Sequence, residues 1–304
     1  MINICFFQNN ISHEKVLITF SKMTPSSAGI WKNLQGVVNP DIADFHIVID
    51  ETSLKVDSKK AIYVGGHPTS CTGYSNFENR GEYVAKLDLA ETFGFGEWWL
   101  KANYDELSSL QPPKKIKDLS CILSNTRVFD YHRKRIEFMV KFCNKYLTRI
   151  DLYGRIVIGE GESSLLNSYK GQIGVSAAHI NYEKLYWFGK RKALEPYRYA
   201  LEFDMGRSPE MGICENYWSE RFFDAMLLWS MPIYYGGTNI HKYLPENSFR
   251  YIDLFNPDHT PEYVIDIIDS DFREKHIEDM REARHLLLNK YQIWARIHET
   301  IRNL

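Results

Sequence analysis

The chain has 304 residues, is 44% hydrophobic and 25% charged, and carries a formal net charge of −2. That balance excludes a disordered chain, which would lack apolar surface to bury, and it offers no global basic field for nucleic acid. The length suits two domains of ordinary size.

In chain order, Ile2–Phe7 reads as a first strand and Glu14–Met23 as a weak helix. Asp44–Ile49 and Ala61–Val64 are further apolar runs rich in Ile, Val and Phe. Strands alternating with helices favour a parallel sheet covered by helices. Gly65-Gly66-His67-Pro68 stops the last of these runs and leaves His67 at a strand's C-terminal end, the ligand side of an open α/β sheet. From Cys71 to Gly96 the pattern is poor and predicts a long loop. Gln111-Pro112-Pro113 reads as a linker, because proline removes donors and favours an extended path. This divides the chain into domains 1–113 and 114–304, with the last helix able to pack back on the first domain.

Beyond the linker, Asp118–Leu123 is a strand ending at Ser124-Asn125. A helix from about Tyr131 to Tyr146 follows, with Ile136, Met139, Val140 and Phe142 at helical spacing. Ile150–Tyr153 and Arg198–Phe203 are strands. Tyr217–Ser230 is an amphipathic helix, Met231–Tyr235 a strand that runs into Gly236-Gly237, and Phe249–Asp253 another strand. A long helix begins near Asp271. Two α/β halves facing across a cleft are expected to bind a ligand between them.

Chemistry concentrates in a few places. Ser219 is a plausible N-cap, so the free N–H groups behind it favour an anion. Arg221 can add a charge-assisted contact to a phosphate, and Glu220 can accept hydroxyl bonds. In Arg133-Lys134-Arg135, Arg135 lies nearest the apolar face and is the cation expected to face inward. A bland alternative is an ordinary capped helix and a solvated basic turn. His67 suits a general base, with Glu78 and Glu82 in the following loop as competitors. Trp98-Trp99 can line a cleft or pack at a domain junction. Asp269-Ser270-Asp271 has the D-x-D form used by metal-dependent sugar transferases, but it follows a helix, and no metal is expected. No P-loop, H-E-x-x-H or G-x-S-x-G pattern occurs. No apolar run approaches the ~20 residues of a membrane-crossing helix. Met1–Phe7 lacks the basic flank of a signal peptide. The five cysteines are scattered without CxxC spacing. A cytoplasmic location is expected.

Three runs carry a family resemblance. They are Tyr197-Arg198-Tyr199-Ala200-Leu201-Glu202, then Asn216-Tyr217-Trp218-Ser219-Glu220-Arg221, then Met231-Pro232-Ile233-Tyr234-Tyr235-Gly236-Gly237-Thr238-Asn239-Ile240. With Trp98-Trp99, Pro112-Pro113-Lys114, Ser124-Asn125, His132 and Arg135 upstream, the chain resembles glycosyltransferase family ten. These are the α-1,3/1,4-fucosyltransferases, here in their non-animal form. The resemblance implies a GT-B fold of two Rossmann-like domains, with the donor held by the C-terminal one. It implies inverting transfer of fucose from GDP-fucose to a glycan hydroxyl without an obligatory metal. Arg135 and Arg221 would touch the donor phosphates and Glu220 its ribose or sugar. Ser219, Tyr217, Asn216, Glu202, Asn125 and Asn239 would line the site. Three places depart from the family: Arg221 replaces a lysine, Glu202-Phe203 stands where a glutamate–asparagine pair is usual, and Gly65-Gly66-His67-Pro68 stands where a glutamate base is customary. His67 would then replace the customary glutamate base. Another GDP- or UDP-sugar donor, for example a xylose donor, or a non-catalytic nucleotide-sugar or glycan-binding module, are the alternatives.

Overall fold

The computed structural model describes all residues except 51, 66–80, 82, 88–95, 125, 174–185, 207 and 211–215, and omits the side chains of 186–188. His67, Glu78, Glu82 and Asn125 therefore lie outside the described residues. The chain forms two compact units. The first comprises Met1–Glu97, Ala102–Leu110 and His285–Leu304; the second comprises Trp98–Lys101 and Gln111–Arg284. The last twenty residues belong to the first unit, where the last helix was expected to be able to pack. Among the described residues no helix is long and apolar enough to cross a membrane.

The first unit is built on a six-stranded sheet. Its strands are β1 (Ile2–Gln8), β2 (Ile30–Trp31), β3 (Leu34–Gly36), β4 (Phe45–Ile49), β5 (Ala61–Val64) and β6 (Ala85–Leu87), in the order β2-β3-β1-β4-β5-β6. All pairings are parallel except the β2–β3 hairpin. Ile4, Cys5, Phe6 and Phe7 on β1 are all buried because helices or loops cover both faces, which explains the unbroken apolar run. On one face Phe6 meets Phe20 of the helix His13–Ser21 and Trp294 of the helix Ile293–Arg302, at ring distances of 5.1 and 5.3 Å. The Trp294 indole N–H donates to the Phe20 carbonyl at 2.9 Å. This packing explains why the C-terminal helix joins the first unit. On the other face Cys5, Phe7, Val48 and Tyr63 form a separate cluster.

The second unit carries a fully parallel sheet of β7 (Lys117–Ile122), β8 (Ile150–Tyr153), β9 (Tyr169–Gly171), β10 (Tyr197–Phe203), β11 (Met231–Tyr235) and β12 (Arg250–Tyr251), ordered β12-β11-β10-β7-β8-β9. From β7 the chain moves outward to β8 and β9. It then returns to lay β10 on the other side of β7. The β7–β10 junction is therefore the topological switch point, where strand order reverses and a crevice opens at the C-terminal ends.

Some expectations differ from what is observed. The poorly patterned stretch after Cys71 contains β6, whose half-buried residues give little apolar signal. The helix expected from Tyr217 begins at Glu220, where Ser219 caps it, and ends at Leu227. The expected long C-terminal helix is broken into Phe272–Lys275, Ile277–Leu286, a wide turn at Leu287–Tyr291, and Ile293–Arg302. His276, in a non-helical conformation, separates the first two pieces, and the extended Gln292 caps the last.

Candidate functional site

The helix Asp130–Lys145 follows β7 and the helix Glu220–Leu227 precedes β11. Both bring basic residues to the switch point. Arg135 is 4% exposed. It lies on the helix face shared with Tyr131, Ile136, Met139 and Phe142, whose burial draws it inward. One terminal nitrogen donates to the Ser124 carbonyl (3.0 Å), the Ser124 hydroxyl (2.7 Å) and the Thr126 carbonyl (3.2 Å), just past β7. Its Nε is buried without a hydrogen-bond partner among the described residues. Among the described residues no carboxylate is within ion-pair distance of it. Burial, then the neighbouring Arg221, push its pKa down to about 10, so it stays charged at neutral pH. Arg133 and Lys134 instead form exposed pairs with Glu210 and Glu137.

Arg221 reaches the Ile122 carbonyl at 3.4 Å and Asp204 at 3.8 Å. Its own N–H donates to the Ser219 hydroxyl, which caps the helix. Asp204, the first residue after β10, is the anchor of this corner. It accepts from the Ser219 N–H (2.9 Å), the Ser219 hydroxyl (2.6 Å) and the Tyr234 hydroxyl (3.1 Å). Gly236 makes room for that hydroxyl: a Cβ there would stand 1.9 Å from it. The glycine turn after β11 is thus required by packing around Asp204.

Glu202, expected to line the site, lies on β10 and is 2% exposed. Burial raises its pKa to about 8 against the pull of Arg221 and Lys190. Asp204, two residues on, stands at the strand end. The signal was available, since Asp204 is the first residue after the strand Arg198–Phe203 and is charged. Asn239 is buried, and its amide donates to the Asn216 side chain at 2.9 Å. The Tyr217 carbonyl accepts from the Gly237 N–H and the Tyr234 hydroxyl. These three residues tie the turn after β11 to the segment before the capped helix.

Glu220 is flanked by Lys190, which has no local sequence signal and arrives from the helix Tyr186–Leu194. Burial acts to raise the Glu220 pKa, but Lys190 and Arg221 outweigh it and hold the carboxyl below its ordinary value. His132 accepts the Phe129 N–H on Nδ1 at 3.1 Å, so the neutral ring carries its proton on Nε2. Burial, Arg135, Arg133 and Arg221 push its pKa down to about 4.

The D-x-D pair stands elsewhere. Asp269 pairs with Arg149 at 2.6 Å and Asp271 pairs with Arg198. Both arginines lie at the N-terminal ends of β8 and β10, the edge opposite the switch point. These carboxylates are neutralised by guanidinium groups.

No family model matches the chain. GDP-fucose protein O-fucosyltransferase 3 of Danio rerio is 33% identical over 70 residues, which span 23% of this chain and 14% of that protein. The structure of an α-glucosyltransferase in complex with UDP and DNA aligns over 99% of this chain and 98% of its own at a TM-score of 0.54 and 8% identity. The T4 phage BGT–UDP-glucose complex aligns over 100% of both chains at 0.53 and 13%. An α1,3-fucosyltransferase structure aligns over 96% of this chain and 82% of its own at 0.45 and 15%. The fold is GT-B. Both sheets, one fully and one predominantly parallel and each reversing strand order beside its first strand, fit that architecture.

Proposed function

We propose that the chain is an inverting glycosyltransferase whose second unit holds the diphosphate of a nucleotide sugar at the β7–β10 switch point. The observation that carries this is Arg135: a buried guanidinium with no carboxylate partner among the described residues and an unpartnered Nε, beside a second guanidinium. Burying such a charge is costly unless something compensates it, and a diphosphate supplies the missing acceptors. The N-terminus of the Glu220–Leu227 helix favours the same charge. As the sugar's anomeric C–O bond breaks, the electron pair leaves with the diphosphate, and Arg135 and Arg221 stabilise it there. The acceptor hydroxyl attacks from the opposite face. Its proton goes to a base, assigned first to His67 and next to Glu78 or Glu82.

GDP-fucose is the proposed donor and a glycan hydroxyl the proposed acceptor. The resemblance of Asn216–Arg221 and Met231–Ile240 to family ten supports this, as does the name of the Danio rerio relative. No metal is assigned a role. The cytoplasm is the proposed location and the first unit the proposed acceptor side. A UDP-sugar donor is the second reading, favoured by the UDP and UDP-glucose complexes of the aligned glucosyltransferases.

Thermal denaturation with GDP, GDP-fucose, UDP and UDP-glucose tests the donor. A ligand at a hundred times its Kd adds about 2.7 kcal/mol of stability. Stabilisation by GDP and not UDP is expected; the reverse overturns the GDP assignment. Turnover of the stabilising donor, lost in His67→Ala, is expected of the enzyme. Binding without turnover under any acceptor identifies a binding module instead.

A further inference from the structure

Lys190 is one of the most deeply buried cations of the second unit, and phosphate binding leaves it unexplained. Its side chain is 5% exposed. The Nζ lies 2.6 Å from Asp224 Oδ2 and 3.4 Å from Glu220 Oε1. Asp224 is itself fixed, because its other oxygen accepts the Trp99 N–H at 2.8 Å. The Trp99 ring covers the ammonium at 5.1 Å. One carboxylate would satisfy a buried lysine as a structural pair. Here the lysine also faces a second carboxylate, which is 16% exposed and stands at the switch point. Glu220 adjoins Arg221 in sequence, so an acceptor of hydroxyl protons sits beside a guanidinium that favours phosphate.

We propose that Lys190 is a positioning residue: anchored by Asp224, it holds the Glu220 carboxylate as the acceptor for both ribose hydroxyls of a nucleoside diphosphate, and so makes the site select ribose over 2′-deoxyribose. The proposal rests on the donor-site reading above. An ionised carboxylate only accepts hydrogen bonds, which matches a vicinal diol. A carboxylate held in one orientation loses little freedom on binding. Among the described residues, the charged groups facing Glu220 are Lys190 from its own helix, Arg221 and Asp224 on the same helix, and Asp204 at the end of β10. Lys190 and Arg221 favour the ionised form and the two aspartates oppose it. Without Lys190, burial gains the upper hand and Glu220 protonates at a higher pH.

Calorimetric titration with GDP and 2′-deoxy-GDP, or with UDP and 2′-deoxy-UDP if UDP is the ligand, tests this without an acceptor. Wild-type protein is expected to bind the ribose form more tightly. The double variant Lys190→Met/Asp224→Asn removes both charges together, so neither is left buried alone. It is expected to keep diphosphate binding, weaken the ribose form about tenfold, and bind the two forms nearly equally. The acid-side loss of binding moves to higher pH. Lys190→Arg restores part of the preference. Glu220→Gln, which leaves the Lys190–Asp224 pair intact, is expected to erase the preference even if the double variant does not fold. A folded double variant with wild-type ribose preference and pH dependence overturns the proposal, as does a Glu220→Gln protein that keeps the preference. Wild-type protein that binds no nucleoside diphosphate overturns the donor-site reading itself.

Discussion

The two edges of the second sheet use the same side chains to opposite ends. At the N-terminal ends of the strands, Arg149 and Arg198 are matched by Asp118, Asp269, Asp271 and Glu274. Each guanidinium has two or more carboxylates, and all these groups are partly exposed. At the C-terminal ends Arg135 has, among the described residues, carbonyl and hydroxyl partners only, while Asp204 is occupied with Ser219 and Tyr234. A closed network at the surface contributes modestly to stability and offers a ligand nothing. A buried guanidinium without a counterion costs stability and retains binding capacity. An arginine's partners therefore say more about its role than its presence does.

The strongest way to break this comparison is Arg135→Met. If Arg135 is held for a ligand, its loss should weaken nucleoside diphosphate binding about a hundredfold, equivalent to ~2.7 kcal/mol. The melting temperature should hold or rise, because a buried charge is exchanged for an apolar chain of similar length. Calorimetry and thermal denaturation measure the two effects separately. A large loss of stability with unchanged binding would make Arg135 structural and dissolve the contrast between the edges.

The sequence made one side of this contrast readable and hid the other. Ser219 as N-cap and Arg135 as the inward cation follow from local rules, since capping and helical spacing act over four residues. The strands β5 and β11 were legible because burial on both faces makes them unbroken apolar runs, and β4 and β8 because only one polar residue, His46 or Asp151, interrupts theirs. Lys190 was not legible: it meets Glu220 thirty positions away through helix packing alone. Asp204 was not singled out, because the alternation of a strand does not tell which acid lies at its end. The D-x-D pair was discounted because it follows a helix, but its partners were not legible, since the arginines that neutralise it lie 120 and 73 residues away.

A second experiment sharpens the contrast through pH. Glu202 is an acid with its folded-state pKa raised to about 8, chiefly by burial. Between its ordinary carboxylate range and that value, the folded state binds a proton that the unfolded state releases. Stability must then fall as pH rises through this window, with a slope of up to about 1.4 kcal/mol per pH unit from this one group. Asp224, raised to about 6, adds to the slope only at its lower end. Glu202→Gln should flatten the stability profile between about pH 6 and 8 and raise stability at neutral pH. Denaturant unfolding across that range decides it. An unchanged slope would mean that Arg221 and Lys190 keep Glu202 ionised, and that the C-terminal edge is better neutralised than its geometry suggests.

The smallest effect is expected at the opposite edge, and it is the control on which the contrast depends. Arg198 is bound by both oxygens of Glu274, at 3.1 and 2.6 Å, and also by Asp118 and Asp271. Its side chain is 18% exposed, whereas its carboxylate partners are 34–64% exposed. Water and salt therefore replace much of what Arg198→Met would remove. The variant should lose no more than about 1 kcal/mol of stability, and less as salt is raised. Its affinity for a nucleoside diphosphate should stay within about twofold of wild type, because the strands separate this edge from the switch point. A loss of affinity comparable to that of Arg135→Met would show that the two edges act as one electrostatic unit, and that the closed network holds the binding edge in place.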